Sequence, residues 1–197
     1  MKSIHKTNFF DDETFNKIKE SVLEKVNDQD GLRYGKDCTR EYRIGFFSSE
    51  IQDILLTKAK QETQDDSLEI IYNQIVKYRI NDGVAPQLKK HKDQAVGEWV
   101  MDIVLDATVD WPLIIEGESF SNTTNSVTFI RGEEESHWRP DFPSISEEDY
   151  VLLLFVHLAN KDSRHAKISR ELLRLGEDKV RSFLKSAEPA WGSFYKE

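Results

Sequence analysis

The chain has 197 residues, and its 27 basic and 36 acidic residues give a formal net charge of −9. This length suits one well-buried domain and is short for two. A composition with 38% hydrophobic and 32% charged residues is ordinary for a globular protein and excludes collagen-like, coiled-coil and disordered chains. The negative charge disfavours nucleic acid as a partner, because phosphate contacts need basic surfaces. No apolar run approaches the roughly 20 residues that span a bilayer, so we expect no membrane-spanning segment.

Cys38 is the only cysteine in the chain. It can form no disulfide within the chain, and a cysteine-based zinc site is excluded. The first residues, MKSIHKTNFFDDETF, lack the continuous apolar stretch of a secretory signal. We therefore predict a cytoplasmic protein.

The first third of the chain predicts two helices. Residues 11–27 have acids in the first turn and apolar residues at helical spacing after it. Residues 30–45 are rich in glycine and charge, and this composition predicts a loop. Residues 48–66 begin with a serine in the capping position and again place apolar residues on one side, which predicts a second helix.

From residue 70 onward the period changes from helical to alternating. Residues 98–108 show this most clearly, with Met101 and Ile103 on one face and Asp102 on the other. Short strands separated by turn residues are predicted at 70–80, 98–108, 111–117, 125–132 and 150–158. Residues 161–186 return to helical spacing, which predicts a last helix.

A run of short strands of this kind is typical of an antiparallel β sandwich or barrel. We therefore predict a mainly β fold with flanking helices, of the α+β class. A single domain, 1–197, is expected. It would comprise an N-terminal helical region (1–68), a β core (69–160) and a C-terminal helix and tail (161–197).

Two histidines and an aspartate in the β region have the spacing of a metal site. His91 and Asp93 are two positions apart, so both side chains lie on the same face of an extended chain. His137 follows far downstream, with room for several strands in between. Two histidines and one carboxylate from separate strands match the facial triad that binds Fe(II) and leaves positions open for oxygen and substrate. A charged surface loop is the alternative interpretation, and His5, near the N terminus, is given no role.

The sequence blocks around these residues resemble the 2-oxoglutarate- and Fe(II)-dependent oxygenases, in particular the small prolyl-hydroxylase-like members. The blocks are KYRINDGVAPQLKKHKD, FIRGEEESHWRPDF and YVLLLFVHLAN. The resemblance implies a double-stranded β-helix, or jelly roll, which agrees with the strands predicted above. It also implies that His91, Asp93 and His137 bind Fe(II), and that 2-oxoglutarate and O2 are cosubstrates.

The resemblance further implies a basic residue, helped by a hydroxyl group, that holds the far carboxylate of 2-oxoglutarate. Family members often carry this residue at the start of the strand after the second histidine, where this chain has Glu147. Arg139 is predicted instead, because it stands two positions after the second histidine and a guanidinium matches a carboxylate. Tyr78 is the predicted hydroxyl partner, and Arg79 and Arg131 are weaker alternatives to Arg139.

Two further residues are predicted to lie near the site. His157 ends a strongly apolar strand, so a packed core histidine is one interpretation and support of an iron ligand is another. Trp138 follows a predicted ligand directly and is predicted either to pack in the core or to line a pocket.

The resemblance implies a dioxygenase that hydroxylates a C–H bond. The acidic charge favours a small molecule, an amino acid or a protein side chain as substrate over nucleic acid. Two alternatives stay open at this point. One is a cupin-like metalloenzyme that uses no 2-oxoglutarate, with His157 as a third histidine. The other is a jelly-roll binding protein without catalytic activity.

Overall fold

The computed structural model describes residues 2–28, 31–35, 39–45, 47–93 and 98–174. The helices in these ranges are α1 (Asp12–Val26), α2 (Ser49–Thr63) and α3 (Arg164–Arg174). The strands are β1 (Ile4–Lys6), β2 (Arg33–Gly35), β3 (Arg40–Gly45), β4 (Leu68–Arg79), β5 (Trp99–Ala107), β6 (Leu113–Ile115), β7 (Glu118–Phe120), β8 (Val127–Ile130), β9 (His137–Trp138) and β10 (Tyr150–Asn160). Within these ranges, every helix is too short or too polar to cross a membrane.

Local capping fixes the starts of the first two helices. The Asp11 carboxylate accepts a hydrogen bond from the Thr14 amide at 2.9 Å, and the Ser48 hydroxyl accepts one from the Ile51 amide at 3.4 Å. Each bond satisfies an amide that has no partner inside its own helix. Both predicted helices are therefore confirmed within a few residues.

Two sheets form the β core. The large sheet has the strand order β1-β8-β5-β10-β4-β3-β2, and the small sheet has the order β7-β6-β9. From β4 to β10 the chain passes back and forth between them: β4, β5, β8 and β10 lie in the large sheet, and β6, β7 and β9 lie in the small one. All the pairings are antiparallel, as predicted.

The large sheet is covered on both faces. Leu152 and Leu154 of β10 pack with the apolar sides of α1 and α2 on the outer face. Val151 and Leu153 belong to the layer between the two sheets. Since neighbouring residues of a strand point to opposite faces, His157 lies on the inner face as well. The inner face is where a ligand would be enclosed.

The loop predicted for residues 30–45 is wrong. This segment contains β2 and β3, which pair with each other, and β3 continues the large sheet beside β4. Its strands are short and near the sheet edge, where charged residues are tolerated on the partly exposed positions. Composition alone therefore gave the wrong structure.

Two other short strands were not predicted. His5 lies in β1, which pairs with β8 and forms one edge of the large sheet. β7 pairs with β6 in the small sheet. Strands of three residues are too short to show a period in the sequence.

The last predicted helix is confirmed as far as Arg174, and residues 175–186 lie outside the described ranges. The single domain stays a prediction.

Candidate metal centre

The backbone brings His91 and His137 side by side. His137 belongs to β9, which pairs with β6 of the small sheet. The His91 amide donates to the His137 carbonyl at 3.1 Å, and the His137 amide donates to the His91 carbonyl at 2.9 Å. His91 therefore extends the small sheet by one further antiparallel position, and the two side chains lie together although they are far apart in sequence.

Asp93 is positioned by a backbone hydrogen bond to the segment that follows β8. Its amide donates to the Gly132 carbonyl at 2.8 Å, just beyond the end of β8. Gly132 lies so close that a Cβ atom built on it would be only 2.4 Å from Asp93 Oδ2. No side chain fits at position 132 without moving the Asp93 carboxylate. The structure thus has space for this carboxylate only because residue 132 is a glycine.

The side-chain atoms of the three residues converge. One potential ligand atom of each lies within 4.8 Å of the others. The Asp93 Oδ1 atom is 3.5 Å from His91 Nε2 and 3.6 Å from His137 Nε2. His137 is buried, while His91 and Asp93 are partly exposed. The predicted triad is therefore brought together around one point.

The other nitrogen of each histidine ring faces a backbone carbonyl. His91 Nδ1 is 2.7 Å from the Lys89 carbonyl, and His137 Nδ1 is 3.1 Å from the Glu135 carbonyl. A carbonyl oxygen only accepts, so both Nδ1 atoms carry a proton, and the two Nε2 atoms are the ones that face the Asp93 carboxylate. Such outer partners fix ring orientation in metal sites.

Electrostatics favours the metal-binding protonation states. Burial raises the pKa of the Asp93 carboxyl, but the hydrogen bond from His91 and the charges of the nearby histidines lower it to about 2. Burial lowers the pKa of His137, against the opposing effect of Asp93. At neutral pH the site therefore holds an ionised carboxylate and a neutral His137. Two imidazole nitrogens and a carboxylate oxygen that converge in this way are a donor set that fits a divalent metal.

Arg139 is buried between the two sheets. Its guanidinium donates to the Asp102 carboxylate at 3.1 Å and to the Trp111 carbonyl at 2.5 Å. Burial raises the pKa of Asp102 to about 6, against the opposing effect of Arg139. The predicted cosubstrate residue thus lies on the inner side, as expected, but its charge is engaged with a buried acid.

Tyr78 is fully buried on the inner face of β4. Its hydroxyl accepts a hydrogen bond from Arg40 Nη1 at 3.0 Å. Sequence reasoning missed Arg40, because it lies in the segment that was taken for a loop. The structure identifies Arg40 through its position on β3. It directly precedes Glu41, which pairs with Lys77 of β4.

Neither Arg79 nor Arg131 points to a cosubstrate role. Arg79 donates to Glu41 through Nε and Nη2, at 3.0 Å and 2.6 Å. Arg131 pairs with Glu134 and lies over the Trp99 ring. Both guanidinium groups are partly exposed and matched by acids.

His157 and Trp138 differ in their surroundings. His157 is buried, its ring stacks on Tyr72 with the centroids 4.0 Å apart, and neither ring nitrogen has a hydrogen-bond partner among the described residues. It is not one of the three residues whose ligand atoms converge. Trp138 is partly buried, and Lys90 Nζ lies 4.8 Å from its ring centroid. The supporting or pocket role of both residues stays a prediction.

Comparison with known proteins identifies the fold. The sequence matches no family model and no curated protein. Its structure is similar to that of SnoK, a non-heme α-ketoglutarate-dependent carbocyclase from nogalamycin biosynthesis, with a TM-score of 0.64 and 11% identity over 85% of this chain and 86% of that one.

Two further structures give the same result. A prolyl-4-hydroxylase from Pseudomonas putida has a TM-score of 0.57 and 12% identity over 80% of this chain and 91% of that one. HygX from Streptomyces hygroscopicus, solved with nickel and 2-oxoglutarate, has a TM-score of 0.57 and 7% identity over 81% of this chain and 83% of that one. The chain therefore has the double-stranded β-helix of the 2-oxoglutarate- and Fe(II)-dependent oxygenases, and the fold prediction is confirmed.

Proposed function

We propose that this protein is an Fe(II)- and 2-oxoglutarate-dependent dioxygenase that hydroxylates a C–H bond. The observation that carries the proposal is the convergence of His91, Asp93 and His137, with one ligand atom of each within 4.8 Å of the others. This donor set is the facial triad of non-heme iron oxygenases, and it lies in a chain with the fold of those enzymes. The fold alone would not carry the proposal, because one fold hosts many functions.

The chain's own residues would hold and prepare the metal. His91, Asp93 and His137 would supply three ligands, and the carbonyls of Lys89 and Glu135 would keep the two Nε2 lone pairs directed at it. Three protein ligands leave positions open for the 2-oxo acid and O2. The bound iron would supply the oxidation chemistry, while the protein positions the reactants and limits the access of water.

The observations weigh against the two alternatives. A cupin-like site would be expected to add His157 as a third histidine, but among the described residues His157 stands outside the converging group. A binding protein without catalytic activity would need neither the close fit between Gly132 and Asp93 nor the ionised state of that carboxylate.

The substrate class follows from charge rather than from the site. With a net charge of −9, a small molecule, an amino acid or a protein side chain is favoured over nucleic acid. The solved structures cited above act, by their names, on prolyl residues and on natural-product intermediates, which is compatible with this range. The cytoplasmic location expected from the single cysteine stays a prediction.

Metal binding and cosubstrate turnover test the proposal together. Mn(II), a stable substitute for Fe(II), would be titrated into the protein and followed by electron paramagnetic resonance. Release of CO2 from carboxyl-labelled 2-oxoglutarate would be measured with Fe(II). We expect one tight Mn(II) site and iron-dependent CO2 release, both lost in His137→Ala. His5→Ala is the matched control, since His5 lies on β1 and bonds Thr128 at 2.9 Å, and it should behave like the parent. A parent protein that binds no metal would refute the proposal.

A further inference from the structure

The start of β10 offers no cation for a cosubstrate. If the proposed function holds, the far carboxylate of 2-oxoglutarate must be held inside the jelly roll. The inner residues at the start of β10 are Val151 and Leu153, both apolar and buried. A carboxylate buried against such residues would lose its hydration without compensation. The basic group must therefore come from another element.

Arg139 is poorly suited to the task. Its guanidinium is fully buried and already bonds Asp102 and the Trp111 carbonyl. If Arg139 turned to a ligand carboxylate, the buried Asp102 would lose its partner, and breaking one side of a buried ion pair is costly. Arg139 is better explained as a link between the two sheets.

Arg40 and Tyr78 form a ready-made carboxylate site. Arg40 Nη1 donates to the Tyr78 hydroxyl oxygen at 3.0 Å, which leaves the hydroxyl proton of Tyr78 free to be donated elsewhere. The Arg40 guanidinium carbon also lies 6.0 Å from the Tyr78 ring centroid, over the aromatic ring. A cation and a hydroxyl donor side by side are what a single carboxylate needs.

The ring of His157 is a buried polar group that is influenced by both Arg40 and Asp93. Burial lowers the pKa of His157, and the charges of both Asp93 and Arg40 act on its ring. The ring also lies on the inner face of β10, the face that carries Val151 and Leu153. It is 6% exposed, and both of its nitrogens lack a partner in the described part of the chain. A buried polar group of this kind marks a space that a polar molecule fills.

We propose that Arg40 and Tyr78, rather than Arg139, bind the far carboxylate of 2-oxoglutarate. The 2-oxo acid end would lie at the triad formed by His91, Asp93 and His137, and the buried ring of His157 would offer its nitrogens to the bound molecule. The basic residue is thus supplied by β3, the strand added to the large sheet beside β4. This inference rests on the proposed function and assigns its cosubstrate site.

The test compares two ligands that differ only at the far end. 2-Oxopentanoate has a methyl group where 2-oxoglutarate has its second carboxylate. Both would be titrated calorimetrically into Mn(II)-loaded protein without iron, so the readout is affinity rather than turnover. The parent should prefer 2-oxoglutarate. Arg40→Gln should weaken 2-oxoglutarate about tenfold to a hundredfold, the usual effect of losing a hydrogen bond to a charged group, and leave 2-oxopentanoate unchanged. Tyr78→Phe should also weaken the binding of 2-oxoglutarate alone, but by a smaller factor.

Three variants control the result. Arg79→Gln removes a partly exposed guanidinium from the neighbouring position of β4 and should bind both ligands like the parent. Arg40→Lys keeps the charge but loses the forked donor, so it should fall between the parent and Arg40→Gln. Arg139→Lys should keep the preference for 2-oxoglutarate. Unchanged Mn(II) affinity in each variant shows that the fold and the metal centre are intact.

The outcomes separate the two proposals. A parent that binds Mn(II) but neither 2-oxo acid contradicts the proposed function itself. A parent that prefers 2-oxoglutarate, together with an Arg40→Gln variant that keeps this preference, contradicts the assignment of Arg40 alone. Loss of the preference in Arg139→Lys would return the role to Arg139.

Discussion

At the scale of single residues, the metal centre depends on small features beside the ligands. The Asp93 carboxylate fits because position 132 has no side chain, and the two histidines are oriented by backbone carbonyls. His157 is buried, and neither of its ring nitrogens has a hydrogen-bond partner within the described ranges. Each feature leads to a measurable effect of one substitution.

Gly132→Ala should weaken metal binding without unfolding the protein. The added Cβ would lie 2.4 Å from Asp93 Oδ2, so the carboxylate must leave the position in which it faces the two histidines. Changes next to metal ligands usually cost about tenfold to a hundredfold in metal affinity, and we expect a loss of this size in a Mn(II) titration.

Gly83→Ala is the matched control. Gly83 has a φ of +74°, and a Cβ built there meets no atom within 4 Å. Its cost is backbone strain alone, so its Mn(II) affinity should equal that of the parent. If Gly132→Ala bound Mn(II) as tightly as Gly83→Ala, the fit between Gly132 and Asp93 would not matter for the metal.

Replacing His157 should make the protein less sensitive to acid. Burial lowers the pKa of His157 from 6.5 to about 4; the charges facing the ring are Asp93, which raises it, and Arg40, which lowers it. The folded state thus keeps the ring neutral, and its contribution to stability is present above pH 6.5 and lost as the pH falls toward 4. The loss reaches about 3 kcal/mol for a shift of this size.

The measurement is urea unfolding of the parent and of His157→Phe at pH 7 and pH 4.5. Phenylalanine keeps the stacking on Tyr72 but cannot take up a proton. The free energy of unfolding should fall further in the parent than in the variant over this range. An equal fall in both proteins would mean that His157 is not held neutral in the fold.

At the scale of elements, the two sheets are joined by an ion pair as well as by apolar packing. Arg139 follows β9 of the small sheet, and Asp102 lies on β5 of the large sheet. Trp111, whose carbonyl accepts a hydrogen bond from Arg139, packs in a buried apolar cluster with Val104 of β5 and Leu153 of β10. The pair is therefore a structural link in the layer that encloses the site.

Replacing both Arg139 and Asp102 should lower the free energy of unfolding far less than replacing Arg139 alone. Arg139→Met alone leaves Asp102 buried without a counter-charge and should lower the free energy of unfolding by about 3–5 kcal/mol. Arg139→Met combined with Asp102→Leu removes both charges and should recover most of this loss. Urea unfolding of the parent, of Arg139→Met, of Asp102→Leu and of the double variant gives the coupling energy. A double variant as unstable as Arg139→Met, or one that no longer binds 2-oxoglutarate, would contradict a purely structural role.

The sequence predicted the long elements well and the short ones poorly. The alternation of residues 98–108 and the spacing of apolar residues in 11–27 span enough turns or pleats to show a period. β1, β2 and β7 have three residues each, and β3, beside the edge strand β2, carries several charged residues. Whether such a segment forms a strand depends on the neighbouring strand with which it pairs. The local sequence pattern carries no information about that neighbour.

The same limit applies to the site. His91, Asp93 and His137 are identified by their residue types and spacing, and the structure brings them together. Arg40 escaped prediction because β3 was taken for a loop. The Asp102 partner of Arg139 also escaped, because a pairing across two sheets leaves no trace in the spacing along the chain. Contacts between distant elements were thus the part that needed a structure.

At the scale of the whole molecule, the path of the chain explains the position of the centre. The chain passes between the sheets several times, and the His91 segment and β9 meet on the small sheet while β8 ends beside Asp93. The helices α1 and α2 cover the opposite face of the large sheet and leave the inner layer for ligands. This arrangement of the chain is what brings the three potential ligands together.

The central claim is that iron and 2-oxoglutarate bind together at this centre. The most direct measurement is an anaerobic titration of the Fe(II)-loaded protein with 2-oxoglutarate, followed by visible absorption. Chelation of iron by the 2-oxo acid should give a weak charge-transfer band in the parent and none in His91→Ala. Iron binding without a band would show that the triad is a metal site but not a 2-oxoglutarate site. No iron binding at all would contradict the account.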